Sequence, residues 1–268
     1  MPLEALSVSI EEAWPTAIVV VKGMLRQAGT VDILNCLRKC VAGCPEAIII
    51  DLTGMHAESD VPLTVFGAVH REAAVWPAIP VILCAPSVAL VERLARSGLS
   101  RRMPVCPDRH AATAAITGPP TIARADHDLG QDPDAPAGAR VLITALCAGW
   151  GLAPLAEAAR LILSELVTNA VVHGAGRIRL TALVRRPYLH LVVRDESPDA
   201  PRAAAEPVRG SGLVAGGRGL RLVGRTATGW GYVSESGGKA VWARLRLPPT
   251  APSEAGPKGL GPAGAQAR

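Results

Sequence analysis

The apolar positions along the chain follow different patterns in its two halves. In the first half, apolar runs at 17–21, 47–52 and 80–84 alternate with stretches in which apolar residues recur at helical spacing. Continuous apolar runs of this length are typical of strands that are buried on both faces of a sheet. Strands that alternate with helices over about 115 residues predict a small α/β domain at 1–117.

The second half begins with two helical patterns and continues with strands in which apolar and polar residues alternate. The helices fall at 139–150 and 157–172 and the first strands at 178–184 and 189–193, and a last pair of strands turns at 236–238. Alternation with period two is typical of strands with one face on the core. Such strands with helices on one face predict an α/β sandwich at 138–248, so we expect an α/β chain of two domains.

Two stretches have neither pattern. Residues 118–137 are rich in proline, glycine and aspartate, and we predict that they form a linker between the domains, with a short first strand of the second domain at its end as the alternative. As a flexible coil, a segment of about twenty residues spans roughly 25 Å, which is enough for the domains to touch. Residues 249–268 are predicted to be a disordered tail.

Composition narrows the classes of protein that the chain can belong to. Of its 268 residues 49% are hydrophobic and 19% charged, which is typical of a globular protein. The net charge is +5, but the arginines are scattered and aromatic residues make up only 3%, so the sequence does not indicate a nucleic-acid partner. Prolines interrupt the longest apolar stretch, at 75–91, so we expect no membrane span and a cytoplasmic location.

The six cysteines admit two interpretations. Cys36, Cys40 and Cys44 are spaced four apart, whereas metal sites usually use closer pairs. We therefore interpret all six as buried free thiols, with metal ligands as the alternative.

The helix at 157–172 carries the polar pair on which the functional interpretation depends. Its apolar residues form one stripe, and Glu165 and Asn169 lie one turn apart at the edge of that stripe. A half-buried acid and amide cost free energy unless each has a partner. Either the pair binds a cation and its water, or Glu165 is an edge residue with a local hydrogen bond to Asn169.

Two further features follow in the chain. Asp195 ends a predicted strand, and Gly217-Arg218-Gly219 precedes a predicted helix. Glycines at a helix start allow main-chain N–H groups to approach a phosphate, and the helix N-terminus favours negative charge. The amide oxygen of Asn169 is a hard ligand that suits Mg²⁺. Together these features indicate a nucleotide site.

The same residues carry a resemblance to a known family. The stretches 164–173, 193–195, 217–223, 229–231 and 238–242 resemble the histidine-kinase-like ATPases (GHKL or Bergerat fold), and most closely the anti-sigma-factor serine kinases. The resemblance covers residues 120–248. Its implied roles are Mg²⁺ binding for Asn169, general base for Glu165, adenine contact for Asp195, and phosphate or nucleotide binding for Gly217, Arg218, Gly219 and Leu220.

The resemblance also implies ATP and Mg²⁺ as cofactors and a mobile lid at 196–216. The chain departs from the family pattern at two places. The usual Asp-x-Gly-x-Gly reads Asp195-Glu196-Ser197-Pro198-Asp199, and Ala240 replaces the threonine that often supports the adenine. We expect weaker ATP binding from both changes.

The first half resembles the STAS family of anti-sigma-factor antagonists over residues 4–117. The resemblance rests on the strand at 48–52, on Thr53-Gly54-Met55 and on the polar turn that follows. Asp60 falls where the family has its phosphorylated serine, and Ser59 lies one position early. Asp60 either imitates the phosphorylated state or is only a helix N-cap.

The two resemblances together imply a bacterial partner-switching regulator. Its first form is an anti-sigma-factor-type serine/threonine kinase fused to an antagonist-like domain. Implied partners are a STAS-type antagonist and a sigma factor, and the fusion allows an intramolecular contact between the domains as well as a homodimer. The alternative is a non-catalytic signalling scaffold with a degenerate ATP site.

Overall fold

The chain folds into two sheets and seven helices in the part that the structure describes. The structure is a computed structural model and describes residues 5–12, 14–201, 218–235 and 237–249. The predicted tail lies outside these residues from position 250 onward. The predicted fold class, an α/β chain of two domains, is confirmed.

The first domain contains a mixed sheet of six strands. Its elements are β1 Ser7–Glu12, β2 Thr16–Leu25, α1 Thr30–Ala42, β3 Ala47–Asp51, β4 Met55–Ala57, α2 Thr64–Val75, β5 Val81–Cys84, α3 Val88–Arg96, β6 Val105–Cys106 and α4 Arg109–Ala114. The strand order is β1-β2-β3-β5-β6, with β4 paired to β2, and only β1 runs antiparallel to its neighbour. Every residue of β3 and β5 is buried, as continuous apolar runs predict.

The second domain contains an antiparallel sheet of five strands. Its elements are β7 Thr121–Leu129, α5 Ala135–Gly149, α6 Ala156–His173, β8 Ile178–Arg185, β9 Tyr188–Asp195, α7 Arg218–Thr226, β10 Gly229–Glu235 and β11 Gly238–Arg246. The strand order is β10-β11-β9-β8-β7. Helices α5, α6 and α7 share a core with one face of this sheet, which we call the helical face.

The opposite face of the second sheet packs against the first domain, and we call it the docking face. Its residues Leu183, Val192 and Trp242 belong to the same core cluster as α1, α2 and the first sheet. Trp242 stacks on Trp76, which follows α2, with ring centroids 5.0 Å apart and planes 1° from parallel. Helices α1 and α2 are therefore sandwiched between the two sheets.

Arginines of the docking face bind the end of α1. Arg185 donates to the carbonyl oxygens of Cys44 and Pro45 at 3.1 and 2.8 Å, and Arg124 donates to Gly43 O at 3.0 Å. Arg194 donates to Ala42 O. Cationic groups at the C-terminal end of a helix satisfy its free carbonyls and interact favourably with its dipole. The intramolecular contact between the domains thus combines aliphatic and aromatic packing with charged hydrogen bonds.

The predicted linker at 118–137 is wrong in part. Strand β7 occupies Thr121–Leu129 and is an edge of the second sheet, and α5 begins at Ala135. The aspartates that suggested a coil are paired with the neighbouring strand: Asp126 accepts from Thr181 and Asp128 from Arg179. The full strand was not predicted because polar residues on this edge strand interrupt the alternation of apolar and polar positions.

The start of α2 also differs from the prediction. The sequence places a helix start near Ser59 or Asp60, but α2 begins at Thr64, after a bend at 58–61. Its N-cap is Leu63, without a side-chain cap. The interpretation of Asp60 as a helix N-cap is therefore wrong, because the carboxylate lies too far upstream to reach the first free N–H groups.

All six cysteines are free thiols, as interpreted. Cys40, Cys44, Cys84 and Cys147 are buried, and Cys36 and Cys106 are half-buried. Burial raises the pKa of the Cys40 thiol to about 12. Among the helices that the structure describes, none is long and apolar enough to cross a bilayer.

Candidate functional site

Helix α6 presents the predicted polar pair as the helical period requires. Glu165 and Asn169 are both half-buried, while Leu166 and Ala170 beside them are in the core. The Asn169 Nδ2 atom is buried and has no hydrogen-bond partner among the residues that the structure describes. A buried donor without an acceptor costs about 1–3 kcal/mol, so this amide is a candidate for binding a ligand.

The start of α7 lies directly against Glu165. A Cβ atom placed on Gly219 would be 2.3 Å from Glu165 Oε2, so the main chain at Gly219 lies close to the Glu165 carboxylate. Leu220 is buried in the core beside Val223, and its side chain therefore faces away from any ligand. The structure brings Glu165 and the start of α7 together, as the nucleotide-site interpretation requires.

Three of the predicted site features lie partly or wholly outside the described residues. Gly217 is outside them, as are residues 202–216 of the predicted lid. Arg218 begins α7, but its side chain is outside the described part. Their predicted roles stay predictions.

Asp195 ends β9 on the helical face, as predicted, and it is only 4% exposed. Its Oδ1 atom accepts from the main-chain N–H of Ser197 at 2.9 Å, which is the bond of an Asx turn. Its Oδ2 atom is buried and has no partner within the described ranges of the chain. The turn that glycines usually form after this aspartate is formed here by Ser197.

Lys239 is a site residue that the sequence patterns did not predict. This lysine is 1% exposed, and its Nζ atom lies 2.8 Å from Asp195 Oδ1. The signal was present in the alternation of β11, because Val241, Ala243 and Leu245 occupy the buried helical face and Lys239 continues the same period. A lysine at a core position of a strand requires a buried acid nearby.

The register of β9 and β11 also changes the meaning of Ala240. Lys239 is opposite Asp195 and Ala240 is opposite Arg194, so Ala240 lies on the docking face. The position that we expected to support an adenine therefore points away from Asp195. The expected weakening of ATP binding through Ala240 has no structural basis.

Gly174 joins the end of α6 to Asp195. A Cβ atom at this position would be 2.9 Å from the Asp195 carboxyl carbon, so the helix end can pack on the carboxylate only because residue 174 has no side chain. Asn169 lies five residues before Gly174, which is about 7.5 Å along the helix axis. Glu165 and Asn169 on α6, Asp195 at the end of β9 and the start of α7 thus belong to elements that contact one another, and we call this part of the helical face the corner.

This corner fits a nucleotide and a magnesium ion. In the part of the chain that the structure describes, the Asn169 Nδ2 donor and the Asp195 Oδ2 acceptor lack partners and could bind a nucleotide beside the start of a helix, and the Asn169 side-chain oxygen is the atom that could hold a magnesium ion. Among the described residues, no group of three or more His, Cys, Asp or Glu side chains could hold a metal ion. A metal ion at Asn169 would therefore need oxygen ligands from phosphates and water, which is how Mg²⁺ is usually bound beside nucleotides.

The predicted regulatory pair lies far from this corner. Ser59 is exposed, and the half-buried Asp60 accepts from Arg93 Nη1 at 3.0 Å and from Arg96 Nε at 3.4 Å, both on α3. Asp60 precedes α2, whereas the docking residue Trp76 follows it, and this helix of 12 residues is about 18 Å long. Within one chain, Asp60 and the corner are therefore separated by the length of α2 and by the second sheet.

Comparison with known proteins identifies the family of the domain that contains the corner. Residues 129–245 match the family model of the histidine kinase-like ATPase domain. The second domain is a histidine kinase-like ATPase domain. The predicted family of this half is thereby confirmed, and ATP binding is the property that the family implies.

Solved structures give more distant likenesses. An anti-sigma factor antagonist from Mycobacterium paratuberculosis is 20% identical at a TM-score of 0.38, over 42% of this chain and 94% of the antagonist. The RsbU and RsbW domains of a Mycobacterium tuberculosis protein are 19% identical at a TM-score of 0.35, over 48% of this chain and 33% of that one. The histidine kinase domain of the E. coli osmosensor EnvZ is 19% identical at a TM-score of 0.28, over 52% of this chain and 97% of the kinase domain.

No curated protein matches the chain.

Proposed function

We propose that the chain is an ATP-binding regulator of a bacterial partner-switching system, and that its ATPase domain is a serine/threonine kinase of the anti-sigma-factor type. The observation that carries the proposal is the corner of the ATPase domain in which Asn169 Nδ2 and Asp195 Oδ2 are buried without partners. Through its protein partners the chain would control transcription indirectly. The proposed partners are a STAS-type antagonist and a sigma factor.

Each residue of the corner has a proposed part in phosphoryl transfer. Asn169 would hold Mg²⁺, which supplies charge neutralisation on the phosphates. Asp195 would accept a hydrogen bond from the adenine amine. The start of α7 with Gly219 would bind phosphate oxygens through main-chain N–H groups. Glu165, in contact with that helix start, would take the proton of a serine or threonine hydroxyl on the partner.

The first experiment is calorimetry of ATP and ADP binding in the presence and absence of Mg²⁺. We expect Mg²⁺-dependent binding by the wild type and a loss of at least about tenfold in affinity in Asn169→Ala, because a charge-bearing contact is worth about 1.5–3 kcal/mol. Asn35→Ala, a half-buried asparagine on α1, is the matched control and should bind as the wild type does. Equal affinities in all three proteins would refute the proposed site.

The second candidate function is a non-catalytic signalling scaffold with a degenerate ATP site. An experiment at position 60 distinguishes a kinase from such a scaffold. The variant Asp60→Ser supplies a hydroxyl at the proposed regulatory position and serves as substrate for the wild-type chain, with mass spectrometry as readout. Because the geometry separates position 60 from the corner of its own chain, a kinase should phosphorylate the introduced serine in trans, at a rate that rises with enzyme concentration. Glu165→Gln should abolish this transfer.

A scaffold would give a different result. It would bind ATP without transferring phosphate to the Asp60→Ser chain, and Glu165→Gln would change nothing.

Asp60 is proposed to imitate the phosphorylated state, since Arg93 and Arg96 already hold its negative charge.

A further inference from the structure

Lys239 is the most deeply buried charged group at the corner. It is 1% exposed, on a strand position whose neighbours on the same face are Val241 and Ala243. An ammonium group in such a place costs several kcal/mol of desolvation unless a nearby anion and hydrogen bonds offset it. Asp195 supplies that anion at 2.8 Å.

The two carboxylate oxygens of Asp195 have different surroundings, because Lys239 binds only one of them. Both donors that the chain directs at this carboxylate, Lys239 Nζ and the N–H of Ser197, bind the Oδ1 atom. The Oδ2 atom is buried without a partner. Lys239 also donates to Ser197 O at 3.4 Å, so the lysine and the Asx turn hold each other in place.

Glycines on both sides bring main chain close to this ion pair. A Cβ atom on Gly238 would be 2.3 Å from Asp195 O, and one on Gly174 would be 2.9 Å from the Asp195 carboxyl carbon. The end of α6 therefore lies close to the Asp195 carboxylate, and the start of β11 lies close to the main chain of Asp195. Rotation of the carboxylate would exchange its two oxygens, and the donors on Oδ1 oppose that rotation.

We propose that Lys239 is the positioning residue that directs Asp195 Oδ2 toward the exocyclic amine of a purine and so sets the preference for adenine. This inference rests on the proposed function, in which Asp195 contacts the adenine. A carboxylate that is paired with an ammonium is only an acceptor, so a base with a carbonyl oxygen in place of the amine meets no donor. Such a site discriminates against bases without the amine because its buried oxygen would then stay unpaired.

The choice of lysine over arginine is part of the inference. A lysine is a point charge that binds one oxygen, whereas the planar guanidinium of an arginine binds both oxygens of a carboxylate as a fork. Lysine thus leaves Oδ2 free. The substitution Lys239→Arg would keep the charge and occupy the oxygen that the ligand needs.

The test compares ADP with inosine diphosphate, which carries an oxygen where adenine has its amine, by calorimetry on the full chain with Mg²⁺. We expect the wild type to prefer ADP by about 10- to 100-fold, the range that a lost hydrogen bond to a buried charged group gives. Lys239→Met and Lys239→Arg should each lower the ratio of the two affinities at least about tenfold. Lys22→Met, an exposed lysine on β2, is the control and should leave the ratio unchanged.

Two substitutions are used because Lys239→Met, which removes the ion pair, can prevent folding. Lys239→Arg keeps the positive charge next to Asp195. Circular dichroism shows which of them is folded, and either suffices. A folded variant with the wild-type ratio of affinities means that Lys239 is only structural and overturns the inference. A wild type that binds neither nucleotide overturns the proposed function itself, and the inference with it.

Discussion

Both faces of the second sheet bury charged side chains, but the two faces differ in what supplies the partners of these charges. On the docking face, arginines of the sheet donate to the carbonyl oxygens at the end of α1, so another part of the chain supplies their partners. On the helical face, the Asp195–Lys239 pair leaves Asp195 Oδ2 unpaired. Among the described residues, this is the only carboxylate oxygen that is buried without a partner. The first domain thus supplies carbonyl acceptors to the docking-face arginines, whereas on the helical face we propose that a ligand supplies the partner of Asp195 Oδ2.

The strongest way to break this comparison is to remove the acid of the helical face. In Asp195→Ala the ammonium of Lys239 is left buried and unpaired, and we expect a loss of about 3–5 kcal/mol in the free energy of unfolding. Urea unfolding at pH 7.5 measures it. The matched control is Asp60→Ala, which removes an ion pair whose carboxylate is 36% exposed and should cost at most about 1 kcal/mol. Equal losses in the two variants would show that the Asp195–Lys239 pair is not buried as described.

A smaller effect is expected from the docking face. Arg185 is 3% exposed and binds two carbonyl oxygens at the end of α1 as well as Thr121 Oγ1. Arg185→Met keeps the apolar length of the side chain but leaves these acceptors without their donor, which should cost about 1–3 kcal/mol. Thermal and urea unfolding should show the loss, and limited proteolysis should then cut between the domains more readily.

Arg26→Met is the control for that substitution. Arg26 is 58% exposed and its ion pair with Glu58 is long, at 3.6 Å, so its removal should change stability by less than about 1 kcal/mol. If Arg185→Met is as stable and as resistant to protease as Arg26→Met, then the arginines do not hold the domains together.

The sequence predicted the helical face better than the docking face, for a physical reason. Glu165 and Asn169 follow from the period of a single helix, and Asp195 from the end of a single alternating strand, so local patterns suffice to place them. The role of Arg185 could not be predicted from a local pattern, because its partners at Cys44 and Pro45 are distant in the chain. Asp60 looked like a helix cap for the same reason, since its partners lie on α3.

Strand β7 and Lys239 show a second limit of the sequence. The period of β7 is masked by acidic residues that pair with β8, and only the tertiary structure supplies those pairs. Lys239 continues the buried period of β11, but a single lysine is normally solvent-exposed, so its burial becomes credible only once Asp195 is placed opposite. Residues whose environment is made by other strands are thus the ones that local patterns misplace.

The smallest expected effect concerns pH and the docking face. His190 lies on β9 between Arg185 and Arg244, and it is 1% exposed. Burial, reinforced by those two arginines, lowers the pKa of His190 to about 3. In the unfolded chain a histidine titrates near pH 6.5, so below that pH the unfolded state binds a proton that the folded state does not. Stability is therefore lost as the pH falls from about 6.5 toward 3.

Between pH 7.5 and 6.0 this histidine should lower the free energy of unfolding by about 1 kcal/mol, because one pH unit of difference in proton binding is worth about 1.4 kcal/mol. Urea unfolding at the two pH values gives the difference for the wild type, for His190→Gln, and for His127→Gln, an exposed histidine on β7. The dependence should shrink in His190→Gln and persist in His127→Gln. A wild-type dependence that survives in His190→Gln would mean that protons can reach His190 in the folded chain, and that the first domain does not seal the docking face from solvent.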